Sequence, residues 1–243
     1  MQTEDIFKHA KTFDSTPAYC NINRRAGEEA FDDLLDPEDP DQDTQATGLA
    51  LRKANQVRTN VGPFAVSDST THYILSIQNA FQRAVYYPTR FSDGSYPVWY
   101  GCMDQLTTIY ETANHMIREE IDLRGHPKAI HRQRLVYKVA CTAILIDLGS
   151  ASRKFPQLID SSSYSFTQQI GKRVRTEMHP GLLAPSARHQ GGVNLVIFTP
   201  RVLSSPELVG NLSYQLDPSS MRLTVSDDKN QHTEICIDER KWI

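Results

Sequence analysis

The segment RLVYKVACTAILIDLG (134–149) is the best long strand candidate in the chain, and it ends in a glycine turn. VNLVIFT (193–199) is a short, nearly continuous apolar run, as a central strand would be. PVWYGCM (97–103) is rich in aromatic and β-branched residues and reads as a buried strand. Helical patterns lie among these. In THYILSIQNAFQRAVYY (71–87), Tyr73, Ile74, Ile77, Phe81 and Val85 recur at three- and four-residue steps until Pro88 ends the run. Asp104 supplies an N-cap for a helix over about 105–120, with Leu106, Ile109, Tyr110, Ala113, Met116 and Ile117 as its core stripe. SYSFTQQIGKRVRTEM (163–178) sets Phe166, Ile170 and Val174 on one side, with Lys172, Arg173 and Arg175 on the wet side. LSYQLD, MRLTVSD and EICID, separated by polar turns, predict a small antiparallel finish. Strands and helices that do not alternate regularly argue for α+β over a doubly wound sheet.

A chain of 243 residues can bury one substantial core, and 39% hydrophobic with 23% charged residues is ordinary for a globular protein. Residues 1–69 read as an amino-terminal extension packed on a main domain at 70–243. Short amphipathic pieces near Phe7 and from Phe31 to Leu35, and a helically spaced LALRKANQV (49–57), suit that reading. Within the extension, residues 28–43 hold nine acids and no bases, leaving +6 on the rest of a chain whose net charge is −3. A solvated loop is the plain reading of this run; an arm over a basic cleft or on a basic partner is the sharper one. The mild positive balance elsewhere suits a pyrophosphate and is too small to argue for nucleic acid. No apolar run approaches the roughly 20 residues that span a bilayer, and MQTEDIFKHAKTF lacks the order of a secretory signal. A cytoplasmic site of action is expected, with export by a secretion system left open.

Cys20, Cys102, Cys141 and Cys236 are scattered, which predicts reduced, mostly buried thiols and neither a disulfide framework nor a zinc site. His115, His126, His131, His179 and His189 show no HExxH spacing, so no metal is expected. Neither a P-loop nor GxGxxG occurs.

Four polar positions carry chemistry of another kind. Arg90 opens the glycine-containing loop RFSDGSYP, where its planar fork could grip phosphate oxygens; a surface arginine in a turn is the plainer alternative. Strand alternation puts Tyr96, Val98 and Tyr100 on one face and Trp99 on the other. Tyr100 is then either core or a ring that stacks on a nicotinamide or base, with its hydroxyl on a ribose. Glu111 lies off the apolar stripe of its helix and points to water or into a cleft. In a cleft, a carboxylate supports the positive charge of an oxocarbenium-like transition state. Ser186, in APSARHQGG, has no GxSxG elbow around it, so holding phosphate or ribose fits better than serine-hydrolase chemistry. Arg188 and Asn194 are nearby candidates to assist.

Together Arg90-Phe91, Gly94, Tyr100 and Glu111, followed by Pro185-Ser186-Ala187 and Asn194, resemble the RES family over roughly residues 70–200. The resemblance implies an ADP-ribosyltransferase-like mixed-sheet core with surrounding helices. It implies a bacterial toxin that cleaves the nicotinamide–ribose bond of NAD by phosphorolysis or hydrolysis. NAD would be substrate, inorganic phosphate a co-substrate in the first case, and no cofactor would be needed. A helix-turn-helix-type antitoxin or an immunity protein would block the cleft, and homo-oligomers are compatible with such pairs. By the same resemblance Arg90 holds the pyrophosphate or the nicotinamide-side ribose, and Tyr100 stacks near nicotinamide. Glu111 bonds that ribose and supports the cation, and Ser186 helps to place phosphate or the incoming nucleophile. The chain reads Arg-Phe-Ser where many members have Arg-Trp-Asn, and its amino-terminal extension is longer than a minimal member needs. Two other readings stay open: transfer of ADP-ribose onto a macromolecule, and a non-catalytic interaction module.

Overall fold

The long strand candidate at 134–149 becomes β3 (Ile130–Asp147), and the rest of the sheet is arranged around it. The computed structural model describes residues 6–24, 68–82, 85–120, 128–160, 163–227 and 235–238. Within them the sheet has eight strands, with β1 at Ala10–Asn23, β2 at Trp99–Cys102, β4 at Gly181–Pro185 and β5 at Val193–Ile197. Leu203–Asp217 forms β6, Arg222–Asp227 β7 and Ile235–Asp238 β8. The order is β1-β2-β5-β4-β3-β6-β7-β8, and β1 also pairs with β3. That extra pairing closes the first five strands into a ring. It works because β3, at about 3.3 Å per residue, is long enough to use one edge twice. Its first part pairs with β6 and its last residues, Ile146 and Asp147, pair in parallel with Leu182 and Leu183 of β4. The opposite edge takes β1 from Asn23↔Arg134 to Ala10↔Ile146. The sheet is mixed and its helices lie outside it, an α+β fold.

Among the described residues three α-helices lie on this sheet: α1 (Asp68–Ser76), α2 (Gln105–Glu119) and α3 (Ser165–Thr176). Strand alternation sends neighbouring residues to different cores. Leu182, Ala184 and Val196 join Ile170 and Val174 of α3, with Phe91, Tyr96 and Val98. Leu183, Leu195 and Ile197 face Trp99, Ile77 and the β1 residues Phe13, Ala18 and Cys20. The stripe Ile109, Ala113, Met116 and Ile117 of α2 packs on Val136, Tyr214, Leu216 and Leu223. Tyr100 joins the Tyr96 and Val98 side and Trp99 the other, as alternation requires.

Several expectations need correction. The helix expected over 71–87 stops at Ser76 and is followed by a 3-10 turn at Gln78–Phe81, short of Pro88. The cause is a competing donor: Trp99 Nε1 bonds the Ser76 carbonyl at 2.7 Å. Ala80 N bonds Ile77 O at 3.3 Å instead of continuing the α-helical pattern. Leu106 is 40% exposed and is not part of the α2 stripe; Thr107 and Thr108 are buried in its place. The Asp104 cap explains this turn of the helix, because its carboxylate bonds both Thr107 N and Thr107 Oγ1 at 2.7 Å. Residues 10–23, expected at the periphery, form an interior strand of the ring. The finish at β6, β7 and β8 is antiparallel as expected, but β6 begins at Leu203, well before LSYQLD. The acidic run 28–43, the Phe31–Leu35 piece, the helical pattern at 49–57 and His126 lie outside the described residues. Cys20, Cys102 and Cys141 are buried free thiols, while the Cys236 side chain is outside the description. Among the described residues, no helix is long and apolar enough to cross a membrane.

Two glycines shape the loop that presents Arg90. Gly94 has φ +89°, a left-handed conformation that side chains disfavour. Gly171 of α3 lies against the Phe91 carbonyl so closely that a Cβ there would overlap Phe91 O and come within 2.8 Å of Phe91 C. Gly171→Ala must push α3 and the Arg90 loop apart. The expected cost is about 1–3 kcal/mol, read as a lowered denaturation midpoint; an unchanged midpoint would show that this contact is slack.

Candidate active site

The cavity that gathers the polar positions lies between β1, β2 and α2 and has a volume of about 140 Å³. Arg90, Tyr100, Glu111, Arg188 and Asn194 all line it. Residues that the sequence separates by about a hundred positions therefore meet. The ladder Tyr100↔Val196 and Cys102↔Asn194 brings β2 and β5 together, and the Ser186 loop joins β4 to β5. The Asp104 cap starts α2 two residues after β2 ends, so Glu111 is carried over the same ladder.

Glu111 is half-buried, and one of its oxygens is fixed by two donors. Oε1 accepts from Ser186 Oγ at 2.7 Å and from Asn194 Nδ2 at 2.6 Å. Each donor is itself held. Asn194 Oδ1 accepts from Cys102 Sγ at 3.3 Å, which orients the amide. Burial, followed by the nearby Glu111 charge, pushes the Cys102 thiol well above its ordinary range, so it stays a donor. Ser186 Oγ accepts from Arg188 N at 3.1 Å and His189 N at 2.9 Å. With those bonds made, the Ser186 hydroxyl is fully engaged, 8% exposed and outside the cavity lining. The geometry gives Ser186 a place behind Glu111, in contrast to the direct hold on phosphate or nucleophile implied by the resemblance.

The loop 186–192 is clamped to the start of α2. The His189 ring stacks on Tyr110 with centroids 4.8 Å apart and planes 3° from parallel. His189 Nδ1 lies 2.8 Å from Thr107 Oγ1, which also bonds the Asp104 cap. The same clamp that ends the apolar stripe early thus sets the height of Ser186 and Arg188 relative to Glu111.

Arg90 is positioned by backbone oxygens. One of its terminal nitrogens donates to Leu158 O at 3.3 Å and Asp160 O at 2.8 Å, and the guanidinium lies 4.8 Å over the Tyr164 ring. Tyr100 uses its hydroxyl structurally: it accepts from Phe91 N at 3.0 Å and lies 2.7 Å from Thr89 Oγ1. These bonds brace the loop on either side of Arg90, and burial pushes the phenol well above its ordinary range. Its hydroxyl is thus engaged with the protein, while the residue lines the cavity.

Sequence reasoning missed Arg118, Arg134, Tyr164 and Thr89, which also line the cavity, as do Tyr19, Asn21 and Ile22 of β1. A signal for Arg118 was available. Thr108, Glu111, Thr112, His115 and Arg118 recur at three- and four-residue steps, a polar stripe opposed to the apolar one. Nothing in the sequence marked Arg134, which is 2% exposed at the start of a strand pattern. Its Nε donates to Asn21 Oδ1 at 2.7 Å and a terminal nitrogen to Asn21 O at 2.8 Å. Among the described residues, four arginines and one carboxylate therefore line this cavity, a balance that favours an anionic ligand. Burial lowers the Arg188 pKa, and the neighbouring Arg90 and Arg118 charges lower it further, against the opposing pull of Tyr164 and Glu111.

Among curated proteins no sequence matches this chain. One similar solved structure is the crystal structure of the M. tuberculosis MbcT–MbcA toxin–antitoxin complex, at 13% identity and a TM-score of 0.43. The alignment covers 89% of this chain and 92% of that one. Residues 63–217, well over half of the sequence and the segment that holds Arg90, Tyr100, Glu111, Ser186 and Asn194, match the family model described as the RES domain. The chain belongs to the RES domain family.

Proposed function

We propose that this RES protein breaks the bond between nicotinamide and ribose in NAD, with water or inorganic phosphate as acceptor. Its biological role on this reading is that of a toxin, held in check by an antitoxin or immunity protein over the cleft. The observation that carries the reading is one carboxylate, Glu111, oriented by Ser186 and Asn194 in a cavity otherwise charged by arginines.

The reaction asks for two opposite electrostatic environments close together. NAD carries an anionic diphosphate, which guanidinium groups grip with paired charge-assisted bonds. Its nicotinamide-side ribose turns cationic at the anomeric carbon as the base departs, and there a carboxylate helps. As the C1′–N bond breaks, its electron pair passes to the pyridinium nitrogen, and nicotinamide leaves neutral. The acceptor oxygen then bonds C1′; water loses a proton in doing so, whereas a phosphate oxyanion needs to lose none. Glu111 is already held in place by neutral donors, so little reorganisation is needed as charge develops. Arg90 suits the phosphate or the ribose beside it, and the Tyr100 ring offers a face for nicotinamide. Arg188 and Asn194 complete the lining on the Glu111 side. An acidic segment of a partner would suit the same positive cavity.

Purified protein should release nicotinamide from NAD, and comparing buffers with and without phosphate identifies the acceptor. Label from NAD trapped on a macromolecule would instead favour ADP-ribose transfer. Glu111→Gln should lower turnover about 100-fold or more while leaving the melting temperature close to wild type; full activity in that variant would remove Glu111 from the mechanism. Ser186→Ala tests its place behind the carboxylate. Turnover should fall about tenfold, with the KM values for NAD and phosphate changed little. A rise confined to the KM for phosphate would mean that the hydroxyl touches phosphate directly.

A further inference from the structure

The bond cleavage described above leaves one proton without a destination. A water that bonds C1′ sheds it, and a side chain placed to receive it speeds that step. Few groups of the lining are able to do so. Burial pushes the Cys20 thiol up to about 12 and the Cys102 thiol well above its ordinary range. Burial raises the Tyr100 phenol in the same way. These three hold their protons at neutral pH, so none serves as a base. A guanidinium has no lone pair to offer. Glu111 is committed to the cationic sugar, and its Oε1 already accepts from Ser186 and Asn194.

His115 lines the same cavity from α2, one helical turn beyond Glu111. Residues four apart on a helix share a face, with Cβ atoms roughly 6 Å from each other. The opposite stripe of the helix, Ile109, Ala113, Met116 and Ile117, is packed on Val136, Leu216 and Leu223. The helix therefore cannot roll one of the two residues out of the cavity without unpacking that stripe. Their polar neighbours on this face are turned to the helix itself. Thr108 Oγ1 donates to Gln105 O at 2.7 Å, and Thr112 Oγ1 donates to Thr108 O at 2.8 Å. Glu111, His115 and Arg118 are thus the ionisable members of the stripe. Of these, only an imidazole ordinarily gains and loses a proton near neutral pH. An imidazolium formed during turnover would meet the Glu111 carboxylate at the favourable four-residue spacing.

We propose that His115 is the general base for hydrolysis in this site. The water oxygen forms its bond to C1′ while the C1′–N electron pair leaves with nicotinamide. The water proton passes to the imidazole, and solvent removes it after product leaves. An anionic nucleophile such as phosphate or azide has no proton to give up and bypasses His115. Two residues on one helix face then divide the work, Glu111 supporting the cation and His115 activating its captor. The inference rests on the NAD reading above.

Nicotinamide release by the full chain in phosphate-free buffer, with and without sodium azide, tests it. His115→Gln should lower hydrolysis about 100-fold. Formation of ADP-ribosyl azide by the same variant should stay within about threefold of wild type, and so should the KM for NAD. His115→Ala serves if the glutamine variant is unstable: added imidazole should restore part of its hydrolysis, a recovery that a merely structural histidine would not show. Equal losses with water and azide, or hydrolysis within about threefold of wild type, overturn the assignment and leave Glu111 in its role. Wild-type protein that frees nicotinamide only when phosphate or azide is present overturns it as well. Wild-type protein that frees none in any of these buffers overturns the NAD reading and this inference with it.

Discussion

A carboxylate drawn partly out of water must be given donors, and the way Glu111 obtains them ties this molecule together. Its partners come from β5, through Asn194, and from the loop after β4, through Ser186. The carboxylate itself rides on α2. Three elements with different packing faces are thus locked at one oxygen atom. The lock is reinforced outward: Cys102 orients Asn194, the amides of Arg188 and His189 orient Ser186, and His189 stacks on Tyr110. A site built this way is ordered before a ligand arrives, as the proposed stabilisation of a short-lived cation would require.

The division of labour among the polar residues follows from which atoms still have capacity to bond. Tyr100 and Ser186 spend their hydroxyls on the protein, so they act by placing Arg90 and Glu111. Arg90, anchored through one terminal nitrogen to two carbonyl oxygens, retains donors on the remainder of its fork. The glycine at 171 belongs to the same scheme, since its missing side chain lets α3 support the loop from below.

Much of this was legible in the sequence wherever local pattern and tertiary packing agree. β2, β5, α2 with its Asp104 cap, and α3 appear close to where periodicity places them, because each buries one regular face. For the same reason the position of Glu111 off the apolar stripe was readable, which narrowed its direction to water or a cleft; only the fold shows that it is the cleft. The amino-terminal strand was not. In AKTFDSTPAYCNIN, Pro17 and a bulge between Phe13 and Thr16, with Ser15 at φ +49°, break the alternation that marks a strand. The end of α1 was hidden because it is imposed from a distance by Trp99. Arg134 was hidden because a basic residue opening a strand pattern ordinarily means solvent, and its burial depends on Asn21, which lies on the unrecognised strand.

The pairing of β1 with β3 also bears on where this protein can be cut. The matched segment 63–217 looks like a self-contained unit, yet it omits the strand that covers a whole edge of β3. A fragment trimmed to that segment would expose a long row of unsatisfied amides and carbonyls, ready to zip onto a neighbouring molecule. Fibrous or insoluble material from such a truncation would trace to bared sheet edges, at β3 where β1 is lost and at β6 where β7 and β8 are lost.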